Sequence, residues 1–448
     1  MERTRIEDDG ASIPLAEVLS AFSYALDMTD GQPEGHSIRC SWIGVQLARA
    51  HGVEGAALRD IYYAVLLKDL GCSANAVRVS EIYRCDDHAF KRDFKLVDGS
   101  MGELFKFVLT HTGRRDGFLK RSRALARAVA RGTEDNHELI TTRCMQGAAI
   151  ARRLRFSEDV CNAIRFLDEH WDGSGQPTGM AGENIPLGAR VALLAQVADV
   201  FFHTHGPDQA RTEIAARSGG WFDPRLCEAF ERISAKPAFW QRLAADDLPQ
   251  RLTAIESDLD SVDVDEDYLD DIAAAFGAVI DAKSPYTAGH SERVGEITDR
   301  IAAKLGMADA PRRGLVRAAR LHDIGKLGVS SRILEKPGRL DADEWHAMQG
   351  HADLTRRILG RISALGNIAD FASAHHERLD GHGYPQGLSG DQIPLTTRII
   401  TVSDFFDALT SHRPYRPALS REEALAIMKD HVGSALDPHC YEALREVA

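Results

Sequence analysis

The sequence predicts an almost wholly α-helical protein built from two copies of one helical unit. Two observations carry this. Apolar residues recur at helical spacing, as in Ala273, Phe276, Gly277 and Ile280, or Leu315, Ala318, Ala319 and His322, while alternating β-branched runs and Gly-rich strand-turn-helix patterns are scarce. The chain also repeats itself. Gly35-His36-Ser37-Ile38-Arg39 returns as Gly289-His290-Ser291-Glu292-Arg293, and 32 residues after each histidine stand Leu67-Lys68-Asp69-Leu70-Gly71 and Leu321-His322-Asp323-Ile324-Gly325. Asp172-Gly173-Ser174-Gly175-Gln176-Pro177 matches Asp380-Gly381-His382-Gly383-Tyr384-Pro385, and Ile-Pro-Leu follows at the same distance in both copies. Asp-Pro then precedes a helix at Asp223-Pro224 and Asp437-Pro438.

The expected organisation is a first, degenerate unit over residues 12–242, a linker over 243–267 and a second unit over 268–448. The first copy carries roughly 45 extra residues between its second and third landmarks, within about Asn75 to Glu134. The linker is acidic, with eleven Asp/Glu and one Arg between Asp246 and Asp271, and reads as a solvated segment that is partly helical. The net charge of −13 argues against a nucleic-acid polymer as partner. No run of about 18 apolar residues suggests a membrane span, and Met1 to Gly10 lacks the apolar stretch of a signal peptide. Seven scattered cysteines without a CxxC fit reduced thiols and a cytoplasmic protein.

Chemistry concentrates in the second copy. His290, His322, Asp323, His351, His375, His376 and Asp404 are the candidate metal ligands, because imidazole and carboxylate suit borderline divalent ions and a carboxylate can bridge two of them. Asp323, next to a histidine, is the best bridge. Asp404 stands in the apolar helix Ile399-Ile400-Thr401-Val402-Ser403, where an unpaired carboxylate is expensive. Lys326, taken as one helical turn past His322, and Arg413 and Arg416 beyond the Asp404 helix are candidate phosphate contacts. Two readings stay open for Tyr384: stacking on a base, or packing. His346, His382, His412 and His439 read as structural.

These motifs, together with Lys336-Pro337-Gly338, Ile393-Pro394-Leu395 and Asp404-Phe405-Phe406-Asp407-Ala408-Leu409-Thr410, resemble the HD-GYP family of HD-domain phosphohydrolases over about residues 268–448. The resemblance implies a helical bundle around two divalent metals, often iron or manganese. It implies hydrolysis of cyclic di-GMP to pGpG or GMP by a metal-activated hydroxide. His322, Asp323 and Lys326 are then the catalytic residues, with Lys326, Tyr384, Arg413 and Arg416 on substrate and the seven ligands above on metal. Trimetal members carry a glutamate upstream of the first histidine. Here Tyr286 stands near that place and the closest acid is Asp281, so two metals are expected. Two rival functions are a phosphohydrolase of another nucleotide and a nucleotide sensor without turnover.

The first copy reads as a degenerate paralogue, with a regulatory or scaffold role. His36 survives, but Lys68 replaces the HD histidine, Leu167-Asp168 replaces the HH pair and Gln176 replaces Tyr384. The third histidine aligns with Arg143 or Ala148. Asp404 aligns with Gln196 without a gap, or with Asp199 if three residues are inserted. A lysine among would-be ligands repels a divalent ion, so no bimetal centre is expected there. A homodimer is the default assembly.

Overall fold

The computed structural model describes residues 13–448 apart from 98, 115, 260–261, 366 and 413–415. It is an all-helical protein in which the described strands are two-residue pieces, Ile13–Pro14 and Asp263–Val264, paired antiparallel with Ile13 opposite Val264. Among the described residues no helix is long and apolar enough to cross a membrane. All seven cysteines are free and buried.

Local chemistry sets where the helices begin. The repeated Asp-Pro pairs are helix starts: Asp223 accepts from Arg225 N and Asp437 from His439 N and Cys440 N, with Pro224 and Pro438 in the first turn. Proline has no amide to leave orphaned there, and the aspartate caps the amides that remain. Asp341 and Glu344 form a capping box at the start of Ala342–Leu359.

The two copies meet through equivalent helices. Leu15–Thr29 opens the first copy and Glu266–Asp281 the second. Phe22 and Phe276, 254 residues apart like His36 and His290, stack face to face with centroids 3.8 Å apart. Flanking contacts repeat about this pair: Ser363 donates to Glu17 on one side and Arg155 to Asp271 on the other. The contact has the self-complementary form of a two-fold dimer interface, closed within one chain. A single apolar core runs through both copies.

The acid-rich segment 243–267 is therefore not a solvated tether. Its helix Leu248–Ser257 buries Leu248 and Leu252, and the buried carboxylate of Glu256 accepts from Tyr63 Oη at 2.6 Å. The sequence pattern missed this because acids such as Asp246, Asp247 and Asp258 face outward around a short apolar stripe.

The insertion adds the helices Ala76–Tyr83, Asp87–Phe94 and Met101–His111 and lengthens the next one, Phe118–Arg153. These build a small core of their own around Val79, Tyr83, Phe90, Phe107 and Leu139.

Truncating the central ring leaves a cavity at the joint of the two copies. Phe22→Ala is expected to cost about 3–5 kcal/mol in chemical denaturation. A loss below about 1 kcal/mol would show that the copies do not depend on this contact.

Candidate metal centre

Five helices and two turns bring the seven predicted ligands together. His290 opens the helix His290–Lys304, after Gly289 in the left-handed region at φ 70°. His322 ends Asp309–Leu321, and Asp323 follows it into the 3-10 turn Ile324–Gly328. His351 lies in Ala342–Leu359, His375 and His376 follow Ile368–Ser373, and Asp404 lies in Leu395–Thr410. Their ligand atoms form two clusters, Asp323 with His351, His375 and His376, and His290 with His322 and Asp404.

Asp323 stands between the clusters, 1% exposed. Its Oδ1 lies 3.6 Å from the Nε2 atoms of both His351 and His375. Its Oδ2 lies 3.6 Å from His290 Nε2 and 3.3 Å from His322 Nε2. Asp404 Oδ1 completes the second cluster at 3.4 Å from His290 and 3.8 Å from His322.

The imidazoles are oriented from behind. Nδ1 of His322, His351 and His375 donates to the carbonyl three residues earlier, on Ala319, Met348 and Ala372, at 2.6, 2.5 and 2.6 Å. A carbonyl only accepts, so each ring must carry its proton on Nδ1 and turn the Nε2 lone pair inward. The Nε2 atoms of His322, His351 and His375 and Oδ1 of Asp323 are buried without a hydrogen-bond partner. Such a set of inward acceptors is costly by itself. Divalent cations would satisfy them, so the residues fit a metal centre.

Burial pushes the rings of His351 and His375 down to about 4 and 3, so they are neutral and ready to ligate at neutral pH. His290 differs. Burial works against its charged form, but Asp323, Asp407 and Asp404 outweigh that and lift it to about 9. Burial also works against the Asp323 carboxylate, yet His322, Lys326 and His290 hold it well below the usual range.

The orienting partner of His290 is Asp407, which accepts from its Nδ1 at 2.7 Å and from Arg293 Nε at 2.6 Å. In the sequence Asp407 is one residue of the motif Asp404–Thr410, and nothing in that motif marks this role. The repeat held the signal: Asp199 accepts from His36 and Arg39 in the same way. Asp199 is thus the counterpart of Asp407, the ungapped alignment of Gln196 with Asp404 is the right one, and the three-residue insertion is not needed.

Two glycines permit the close approaches. A Cβ on Gly325 would sit 1.9 Å from the His351 carbonyl, and one on Gly383 would sit 2.5 Å from Arg378 N. Thr355 locks the first contact, accepting from Gly325 N and donating to His322 O, both at 3.0 Å. Buried Glu377 accepts from Gln386 N and Leu388 N and so fixes the loop that carries Tyr384. The Tyr384 ring lies 4.7 Å from that of His376.

The predicted substrate contacts fare unequally. Lys326 is not a helical turn beyond His322, since the helix ends there. It reaches Asp323 Oδ2 at 2.5 Å from the 3-10 turn and lines a cavity of about 570 Å³ with His290 and Asp323. Arg416 donates to the carbonyls of Ala408, Leu409 and Pro417, closing the end of the Asp404 helix. Arg413 lies outside the described residues.

In the first copy side-chain cations occupy the corresponding ground. Lys68 pairs with Asp69, and Lys95 from the insertion pairs with Asp30 and reaches Gln196 at 3.1 Å. A Cβ on Gly71 would meet the Arg143 carbonyl at 1.9 Å, as one on Gly325 would meet His351, so Arg143 and not Ala148 replaces the third histidine. Arg143 pairs with Asp168, at the place of His376. His36, Cys40 and Asp199, and Asp30, Asp69 and Cys72, still cluster, but the carboxylates already hold cations. Burial and Lys68 push His36 down to about 4, the reverse of His290.

Comparison with known proteins identifies the family. A model of the HD domain matches residues 123–226 and 275–440, within both copies. The chain is 48% identical over 435 residues, 97% of its length and 95% of the other's, to the 3'3'-cGAMP-specific phosphodiesterase 3 of Vibrio cholerae serotype O1. It is 40% identical over 182 residues, 40% of its length and 49% of the other's, to a cyclic di-GMP phosphodiesterase of Thermotoga maritima. A crystal structure of a cyclic GMP-AMP specific phosphodiesterase of V. cholerae superposes with a TM-score of 0.66 at 44% identity, covering 98% of each chain.

Two outcomes follow for metal uptake. Asp407→Asn is expected to weaken metal affinity about 10- to 100-fold in chelator competition; unchanged affinity would remove its orienting role. Because His290 holds a proton below about 9 and a metal ligand must shed it, uptake at pH 7 should release about one proton and tighten as pH rises. Calorimetry in two buffers of different ionisation enthalpy reads that proton, and no buffer dependence would contradict it.

Proposed function

As the chain belongs to the HD-domain family, in the HD-GYP branch of its phosphohydrolases, we propose that it is a metal-dependent phosphodiesterase of cyclic dinucleotides. One observation carries the reading: the two oxygens of Asp323 each face their own pair of imidazoles, at the edge of a cavity that also holds Lys326. His351, His375 and His376 with Oδ1, and His290, His322 and Asp404 with Oδ2, would hold two divalent ions. Iron or manganese suits this imidazole–carboxylate set, which lacks thiolate. When bound, such a pair supplies charge against the phosphoryl oxygens and acidifies water. Asp281 is engaged with Ser291 N and Oγ, which favours two ions over three.

The chain's own residues do the rest. The Asp323 carboxylate holds Lys326 beside the centre, where its ammonium can neutralise phosphate charge as that charge builds. Glu377 and Gly383 fix the loop that sets Tyr384 against His376, and in this reading the Tyr384 ring meets a base of the substrate. The role of Arg416 is to hold the end of the Asp404 helix, which positions Asp404.

The substrate we favour is 3'3'-cGAMP. The likeness to the 3'3'-cGAMP-specific relative runs through both copies and the insertion, whereas the likeness to the cyclic di-GMP enzyme of T. maritima covers 40% of the chain. Cyclic di-GMP, the expectation from the motifs alone, is the second reading, supported by Gly383-Tyr384-Pro385.

Turnover of both dinucleotides by protein loaded anaerobically with iron or manganese tests this. The expected result is a kcat/KM on 3'3'-cGAMP about tenfold or more above that on cyclic di-GMP, the size of one ordinary hydrogen bond. Asp323→Ala should abolish both reactions. Preference for cyclic di-GMP would overturn the substrate assignment. A metal-loaded protein that cleaves neither would overturn the phosphodiesterase reading.

A further inference from the structure

The first copy encloses a cavity of about 300 Å³ between its insertion and its cation-filled centre. One wall is aromatic: Tyr83, Phe90, Phe94 and Trp221, the last stacked on His170 at 4.3 Å. Elsewhere the lining carries polar groups. Lys95 is held by Asp30 and Arg143 by Asp168, and Lys91 donates to the Cys72 carbonyl, so the lining carries a small positive excess and suits at most a singly charged anion. Two acceptors there are buried and unpartnered, Oδ1 of Asn75 and Oε1 of Gln176. Asn75 is 8% exposed and its Nδ2 is committed to the Leu139 carbonyl at 3.2 Å, which leaves the oxygen free. An orphaned buried acceptor calls for a donor, and an aromatic wall calls for a flat partner.

The elements that form this cavity also touch the catalytic one. Helix Ala76–Tyr83, which supplies Tyr83, packs on the short helix Ser331–Leu334. Helix Asp87–Phe94, which supplies Phe90 and Phe94, grips the same segment: Asp87 Oδ1 accepts from Ser331 N at 2.8 Å and Ser330 Oγ at 3.3 Å. His88 Nε2 accepts from Lys283 Nζ at 2.7 Å, and Lys283 donates onward to the Leu327 carbonyl at 2.9 Å, next to Lys326. Lys283, Ile333 and Leu334 line the catalytic cavity.

We infer that the first copy binds a small planar heteroaromatic ligand with N–H donors, uncharged or singly charged and of nucleobase or nucleoside class, and that its binding orders the segment 327–336 beside the catalytic centre. The binding half stands whether or not the second copy cleaves cyclic dinucleotides, and the ordering is read without turnover.

The test uses the full chain with guanosine and adenosine as probes, calorimetry for binding and amide hydrogen exchange over 327–336. The expected result is one saturable site per chain for at least one nucleoside, with exchange of 327–336 slowed severalfold on saturation. Gln176→Ala, on a loop, should weaken binding about tenfold, and Val79→Trp, which fills the cavity, should abolish it. His88→Ala should bind within about twofold of wild type yet lose the slowed exchange. No saturable binding of either nucleoside overturns the ligand class. Binding untouched by both Gln176→Ala and Val79→Trp places the site elsewhere and overturns it. Binding without a change over 327–336 overturns the coupling.

Discussion

The second copy is organised around one buried carboxylate. Asp323 offers its two oxygens to two separate sets of imidazoles, and the backbone is shaped to allow it. The helix before it stops at His322, the turn after it passes so close to the helix of His351 that only glycine fits at 325, and Thr355 ties the two together. Histidines whose Nδ1 protons are fixed by their own helices cannot turn away from the centre. The arrangement leaves several inward acceptors unsatisfied, a cost that bound divalent cations would offset.

The first copy keeps this frame and changes its chemistry. Gly71 makes the same close contact, and Asp199 still fixes His36. Where the second copy has, beside the Lys326–Asp323 pair, the inward Nε2 atoms of His322, His351 and His375, the first has the cations Lys68 and Arg143, and Lys95 from the insertion, each beside a carboxylate. A neutralised centre has no call for metal, and the cavity above it is lined for a flatter, less charged guest. The two copies share one core through Phe22 and Phe276, so a change in one has a mechanical path to the other.

Much of this was legible in the sequence, for identifiable reasons. Helical periodicity and the repeat gave the fold, because spacing survives where residue identity does not. The seven candidate ligands, which the fold brings into two clusters, were readable because histidines and acids in paired motifs have few other reasons to recur. Asp407 and Glu377 were harder: their roles depend on which backbone or ring lies behind them, and that is a matter of three dimensions. The counterpart of His351 stayed ambiguous because the insertion separates Gly71 from Arg143, and only the contact of Gly71 with the Arg143 carbonyl restores the register. Helical spacing puts Lys326 one turn past His322, but the helix ends at Leu321 and the 3-10 turn after Asp323 carries Lys326 instead. The buried stripe of Leu248 and Leu252 was masked by the acids around it.

The most direct test of the central claim is anomalous diffraction from crystals of the manganese-loaded protein. Two peaks should flank Asp323, one between Oδ1 and His351, His375 and His376, the other between Oδ2 and His290, His322 and Asp404, with none beside Asp69. A single peak, two peaks that do not share Asp323, or a peak in the first copy would contradict it.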